Sequence, residues 1–137
     1  MARKRKGYRT GYKTWHKNGL KSSKFDSYKV YIIKCIDQAS GEEFYKIGKT
    51  YRTVSDRFDE YNGEVILPYD YDIVMEIVRE DGYRISRIEK ALHDKFKEQR
   101  HLQKKEFNGR SECFNLDELD IKEVDEKYNK PIKEKGL

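Results

Sequence analysis

Three charged side chains occupy positions where the sequence pattern predicts apolar neighbours. The first is Glu89, which lies on a helix predicted over residues 84–99. The apolar stripe of that helix consists of Ile85, Ile88, Leu92 and Phe96. A rotation of about 100° per residue places Glu89 inside the stripe. Because removing a carboxylate from water costs several kcal/mol, we expect Glu89 to bind a metal ion, form a salt bridge or reach solvent at the rim.

Arg57 and Lys46 are the other two charges. Arg57 lies at the edge of the apolar side of a helix predicted over residues 54–61, where an ordinary exposed arginine is the simpler interpretation. Lys46 shares one face of a predicted strand with Gly48, and a glycine there would let a ligand or another segment approach closely. An edge-strand lysine that discourages aggregation would give the same pattern. Three unrelated explanations for these charges are less simple than a single site that uses all three.

The elements that position these residues predict an α+β domain. Strands are predicted over residues 28–36, 43–50 and 71–78, with a short fourth strand over 113–116. Turn residues 37–42 make the first two strands an antiparallel hairpin. A closing helix is predicted around residues 116–124. The fold class is therefore a small antiparallel sheet of three to four strands flanked by two to three helices, within a single domain over 25–126 and followed by a polar tail over 127–137.

Positive charge is concentrated at the start of the chain. Residues 1–24 carry nine cations and no acid, whereas the other 113 residues carry 21 cations and 25 anions. This composition predicts a flexible arm that binds a polyanion, although a disordered solubilising tail would have the same composition. Cations neutralise phosphates, and an aromatic ring can stack on unpaired bases. The candidate nucleic-acid-binding residues are Arg3, Lys4, Arg5, Lys6, Arg9, Lys13 and Trp15.

Several classes of protein are excluded by what the sequence lacks. No run of eighteen apolar residues is present, so we expect no membrane span, and no apolar stretch follows the basic start as in a secretory signal. Two cysteines, Cys35 and Cys113, form neither a disulfide scaffold nor a zinc site unaided. The Gly48-Lys49-Thr50 stretch lacks the upstream glycine of a phosphate-binding loop. A cytoplasmic protein is expected.

The order and spacing of several short motifs resemble the GIY-YIG nuclease superfamily over about residues 28–116. The similar stretches are Val30-Tyr31-Ile32-Ile33, Phe44-Tyr45-Lys46-Ile47-Gly48-Lys49-Thr50, Arg57-Phe58 and Ile88-Glu89-Lys90-Ala91-Leu92-His93. Glu112-Cys113-Phe114 is similar to the Glu-Trp-Phe motif of a phage and bacterial branch whose second signature is Lys-Ile-Gly. Two departures are Lys29-Val30-Tyr31 in place of Gly-Ile-Tyr, and Lys46 in place of the second tyrosine.

The resemblance implies that Tyr31, Lys46, Arg57 and Glu89 are the catalytic residues of a metal-dependent phosphodiester hydrolase. Glu89 would hold Mg²⁺, or Mn²⁺, and Arg57 would contact the phosphate. Tyr31 would align or deprotonate the attacking water, and Lys46 would lower the pKa of Tyr31 by favouring the phenolate. Supporting residues would be Tyr45, Gly48, Lys49, Tyr61 and His93.

The expected function is that of a DNA endonuclease, of phage or homing type, acting in a bacterial cytoplasm. One site with one metal cuts one strand, so a double-strand break requires a homodimer or two encounters. Two alternatives remain open at this point. One is a catalytically inactive nucleic-acid-binding module, and the other is an RNA-directed nuclease, which the aromatic residues of the arm suggest.

Overall fold

The computed structural model describes residues 2–58, 67–105 and 112–129, with side chains from residue 11 onward. The helices are α1 (Ala2–Lys21), α2 (Val54–Phe58), α3 (Gly82–Lys95) and α4 (Glu118–Tyr128), with a 3₁₀ turn at Lys97–Gln99. The strands are β1 (Tyr28–Asp37), β2 (Glu42–Thr50), β3 (Asp70–Arg79) and β4 (Cys113–Phe114). The predicted α+β fold is confirmed.

The four strands form an antiparallel sheet in the order β3-β1-β2-β4. In the β1–β2 hairpin Tyr31 lies opposite Gly48, and Ile33 lies opposite Lys46. The short β4 pairs with β2 at Tyr45 and Lys46, and its Phe114 also bridges Arg100. Within the described residues, the outer edge of β2 beyond Lys46 is therefore left without a neighbouring strand.

The core lies on both faces of the sheet because side chains alternate along each strand. The face covered by α3 and α4 carries Val30, Ile32, Ile47, Met75 and Ile77. The opposite face, against α2 and the chain near residue 67, carries Tyr31, Ile33, Cys35 and Phe44. Both central strands thus bury alternate residues on opposite sides, which explains the continuous apolar run in β1.

Local hydrogen bonds set where the helices begin. Thr53 Oγ1 accepts the backbone N–H of Asp56 at 3.2 Å and so caps the start of α2. Asp81 caps α3, which begins at Gly82, two residues before the predicted start. This helix also ends at Lys95, four residues before its predicted end, and gives way to the 3₁₀ turn.

The C-terminal helix differs from the prediction at both ends. Asp117 and Asp120 form a reciprocal capping box that starts α4 at Glu118. The helix then continues to Tyr128, so its last residues lie inside the segment predicted as a polar tail. Residues 130–137 of that tail lie outside the described part of the chain.

The N-terminal segment also differs from the flexible arm that its composition predicts, because residues 2–21 form α1. Trp15 packs against Tyr28 and Tyr51, with ring centroids 5.6 and 5.3 Å apart. The ring Nδ1 of His16 accepts the backbone N–H of Gly82 at 3.0 Å, and the Tyr28 hydroxyl donates to the His16 carbonyl at 2.6 Å. These contacts join α1 to the sheet and to the first turn of α3.

Candidate functional site

The centre of the candidate site is a trio of hydrogen-bonded side chains. The Lys46 ammonium donates to the Tyr31 hydroxyl, with 2.9 Å between Nζ and the phenol oxygen. The same ammonium forms an ion pair with Glu112, at 2.5 Å between Nζ and Oε1. Lys46 is fully buried and Tyr31 is 1% exposed, whereas the Glu112 side chain is 27% exposed. Glu112 is therefore the member of the trio that solvent reaches.

The protonation states of this trio follow from burial and neighbouring charge. Burial raises the pKa of Tyr31, although the Lys46 charge acts in the opposite direction. Burial alone would lower the pKa of Lys46, but Tyr31 and Glu112 outweigh it and the pKa is raised. At neutral pH Lys46 is therefore charged and Tyr31 keeps its proton. The expected direction of the Lys46 effect holds, but a net lowering of the Tyr31 pKa is wrong because burial is the larger cause.

Gly48 allows Tyr31 to lie across the hairpin. A Cβ atom at this position would overlap the hydroxyl and the ring of Tyr31, which faces Gly48 across the strands. Strand alternation places Lys46 on the same face as Gly48, so the Tyr31 hydroxyl comes within reach of the ammonium. The close approach predicted at Gly48 is thus made by a side chain of the protein itself.

Helix α3 packs across one face of the sheet, and one side of the helix contacts β2. Ser86, Glu89 and His93 follow one face of this helix at spacings of three and four residues. The Lys49 ammonium donates to Ser86 Oγ at 2.9 Å, and His93 Nε2 lies 2.8 Å from the carbonyl oxygen of Ile47. Because contacts to β2 hold this face at both ends, Glu89 lies beside the strand between them.

The Glu89 carboxyl group is half-buried beside β2. Burial raises its pKa to about 7, and repulsion by Glu112 adds to the effect, whereas Lys49 and Lys46 oppose it. In the described part of the chain, no donor lies within hydrogen-bonding distance of this carboxylate. A desolvated carboxylate of this kind suits a cation.

The donor set limits which ion would fit at Glu89. Among the described residues, no group of three or more His, Cys, Asp or Glu side chains is arranged to hold a metal. An ion here would therefore take few protein ligands and keep most of its waters. Mg²⁺ prefers oxygen and typically binds through one or two carboxylates, so the residues fit this ion.

Arg57 lies at the end of α2, the helix that packs on the face of the sheet opposite α3. It is half-buried, and its charge is close enough to act on the pKa of Tyr31. Arg57 also lines a cavity of about 350 Å³ that it shares with Lys49, a neighbour of Glu89. The cavity is lined by Trp15, Ser22, Ser23, Lys24, Lys49, Thr50, Tyr51, Arg52 and Arg57.

The structure therefore brings Tyr31 and Lys46 into direct contact, with Glu89 in electrostatic range of Lys46 and Arg57 in electrostatic range of Tyr31. The sequence predicts Glu112 only as part of a motif, and not as a site residue. Its partner Lys46 is 66 residues away along the chain, so only the Glu112-Cys113-Phe114 motif signals it.

The predicted supporting residues are distributed more widely. Tyr45 packs against the core on the face opposite Lys46, so it does not join the trio. Lys49 and His93 hold α3 to β2 through their hydrogen bonds. Tyr61 lies outside the described residues.

The predicted nucleic-acid-binding residues are described only in part. Lys13 is exposed on α1, and the side chains of Arg3, Lys4, Arg5, Lys6 and Arg9 lie outside the described part. Trp15 is half-buried against Tyr28 and Tyr51, and the Lys49 ammonium lies 4.5 Å from its ring centroid. Its ring is thus already packed, which differs from an aromatic side chain free to stack on bases.

The fold and site define an α+β domain with charged and hydrogen-bonding groups gathered at one sheet edge. Within that class, the chain belongs to the T5orf172 domain family, whose model matches residues 29–130. This domain is found in phage and bacterial nuclease-like proteins. No curated protein and no solved structure matches the chain. None of the described helices is long and apolar enough to cross a membrane.

Proposed function

We propose that this protein is a GIY-YIG-type endonuclease that hydrolyses phosphodiester bonds in DNA with Mg²⁺ or Mn²⁺. The observation that carries the proposal is the Lys46–Tyr31 pair, at 2.9 Å, beside a half-buried Glu89 with a pKa of about 7. Perturbed titratable groups gathered at one place are typical of functional sites. Membership of the T5orf172 family, with its nuclease-like proteins, supports the same class.

Each side chain has a role that its environment favours. Arg57 borders the cavity and offers planar, paired donors to the oxygens of the scissile phosphate. The charged Lys46 fixes the Tyr31 hydroxyl, whose retained proton suits it to orient the attacking water. Glu89 would hold the divalent ion, which supplies neutralisation of charge on the phosphate and on the leaving oxygen.

Access to the trio depends on Glu112. Tyr31 and Lys46 are buried, so a phosphate approaching them meets the partly exposed Glu112 first. A carboxylate and a phosphate are both anions that an ammonium binds. We therefore expect the substrate phosphate to displace Glu112 from Lys46 as it enters the site.

The proposal is tested by incubating supercoiled plasmid with the purified protein and Mg²⁺. We expect the wild type to produce nicked circles and EDTA to abolish nicking. Glu89→Gln and Arg57→Ala should each slow nicking about 100-fold or more, as removal of a group that stabilises the transition state typically does. Glu98→Gln is the matched control, because Glu98 is exposed after the end of α3. Equal nicking by all four proteins would contradict the proposal.

A nucleic-acid-binding module without catalysis is the second candidate. The burial of Tyr31 and Lys46 favours it, since neither side chain contacts solvent directly. In the plasmid assay, this alternative predicts retarded plasmid without nicks in either Mg²⁺ or Mn²⁺.

A third possibility is an RNA-directed nuclease. Digestion of a structured RNA in parallel with the DNA tests it, because such an enzyme would cut the RNA and leave the DNA intact. If the wild type makes double-strand breaks, sedimentation with DNA should show whether a homodimer carries them out.

A further inference from the structure

The cavity between α1 and the end of β2 has a strongly basic lining. Four cations line it, and in the described part of the chain none of them is paired with a carboxylate. These residues are Lys24, Lys49, Arg52 and Arg57. Its volume of about 350 Å³ falls within the range of about 300–1,000 Å³ that is usual for ligand sites. Unpaired positive charge around a concave surface favours an anion.

Two of these cations are already assigned elsewhere. Arg57 is placed on the scissile phosphate, and the Lys49 ammonium is held between the Ser86 hydroxyl and the Trp15 ring. Lys24 and Arg52 remain. The backbone groups of Arg52 bond to Thr50 and Lys29, but its guanidinium has no partner within the described residues.

We propose that Lys24 and Arg52 bind the backbone phosphate next to the scissile one in a DNA strand, in a subsite that α1 helps to build. This inference rests on the proposed function, because it places the scissile phosphate at Arg57. All three cations line the same cavity, so a strand held at Arg57 presents its next phosphate to the others.

The aromatic wall of the cavity indicates a phosphate rather than a base as its occupant. Trp15 packs against two tyrosines, and Lys49 lies over its ring. Base stacking requires an open ring face, which Trp15 does not offer on the side that Lys49 covers. Its part is instead to hold α1 against the sheet and Lys49 in place.

The chain offers variants that test the subsite without disturbing the catalytic residues. Lys24→Ala and Arg52→Ala remove one cation each and keep the backbone hydrogen bonds of these two residues. Arg52→Lys keeps the charge. Lys122→Ala is the matched control, since Lys122 is exposed on α4 and does not line the cavity.

The measurement is the affinity of the full chain for a short labelled duplex in EDTA, over a series of salt concentrations. The slope of log affinity against log salt falls by about 0.9 for each phosphate that the protein no longer neutralises. We expect that full reduction when Lys24 and Arg52 are both replaced by alanine, a smaller reduction for Lys24→Ala or Arg52→Ala alone, and the wild-type slope for Arg52→Lys and Lys122→Ala. A wild-type slope for the variant that lacks both cations would overturn the inference. So would an effect confined to an RNA duplex of the same sequence.

Cleavage at saturating protein separates this subsite from the proposed chemistry. Both cavity variants should cut DNA, in Mg²⁺, within about twofold of the wild-type single-turnover rate, because they leave Tyr31, Lys46, Arg57 and Glu89 intact. A slower rate at saturation would overturn the assignment to binding alone. If no protein cuts DNA, the proposed function fails, while the salt slopes still report on the phosphate subsite.

Discussion

Among single residues, Glu89 lowers the stability of the folded protein when its carboxyl group is charged. Its pKa is about 7 in the folded protein and 4.5 for an unperturbed side chain. Between these values the folded protein keeps a proton that the unfolded chain has released, so stability falls as the pH rises from about 4.5 to 7. A group that weakens the fold in its charged form is typical of a site selected for function.

Glu89→Gln should therefore stabilise the protein more at pH 8 than at pH 5. The amide keeps the shape of the side chain and removes the buried charge. We expect the gain at pH 8 to exceed that at pH 5 by on the order of 1–2 kcal/mol, in urea unfolding. Glu98→Gln should show no such difference. A gain that is the same at both pH values would contradict the burial of a charged Glu89.

A divalent ion at Glu89 should reverse this penalty. With Mg²⁺ at pH 8, we expect the wild type to gain thermal stability that rises with ion concentration, because ligand binding to the folded state stabilises it. Glu89→Gln should gain much less. Equal shifts in Tm for the two proteins would place the ion elsewhere or show that Mg²⁺ binding is unspecific.

Some of these residues can be predicted from the sequence, and others cannot. The position of Glu89 in the apolar stripe follows from helical periodicity alone, since Ile85 and Leu92 fix the face. Glu112 could not be found in this way, because its meeting with Lys46 depends on β4 pairing with β2. The raised pKa of Tyr31 depends on burial, which the spacing of motifs does not reveal.

Among the secondary-structure elements, too, some can be predicted from the sequence and others cannot. Runs of β-branched and aromatic residues predict β1 and β2 to within a residue or two, because their burial patterns are local. Helix α1 has no such apolar periodicity. Its anchors Trp15 and His16 bind residues that are distant in the sequence, such as Tyr51 and Gly82, so only the tertiary structure accounts for it.

Two glycines of α1 give a direct test of its docking. A Cβ at Gly19 would lie 2.7 Å from Cε1 of the buried Tyr28, whereas one at Gly11 would meet nothing within 4 Å. Gly11→Ala should be neutral or stabilise by about 0.5–1 kcal/mol through helix propensity. Gly19→Ala should destabilise by about 1–3 kcal/mol through overpacking. Urea unfolding measures both, and equal stabilities would contradict the tight contact between α1 and the sheet.

At the scale of the whole molecule, positive charge and candidate chemistry lie next to each other. Residues 1–24 carry nine cations, and the last of them, Lys24, lines the cavity beside Arg57. The remainder of the chain has an excess of anions, 25 against 21 cations. We infer that a DNA strand is drawn to the α1 side of the molecule, toward Lys46 on β2 and Glu89 on α3.

We propose that the site around Lys46 and Glu89 hydrolyses the DNA backbone, and single-turnover cleavage of an end-labelled duplex measures this activity. With protein in excess and Mg²⁺ present, we predict cleavage by the wild type and rates at least about 100-fold lower for Lys46→Met and Glu89→Gln. Binding of the duplex in EDTA should change far less. Cleavage by both variants at the wild-type rate, or none by the wild type on DNA that it binds, would contradict the claim.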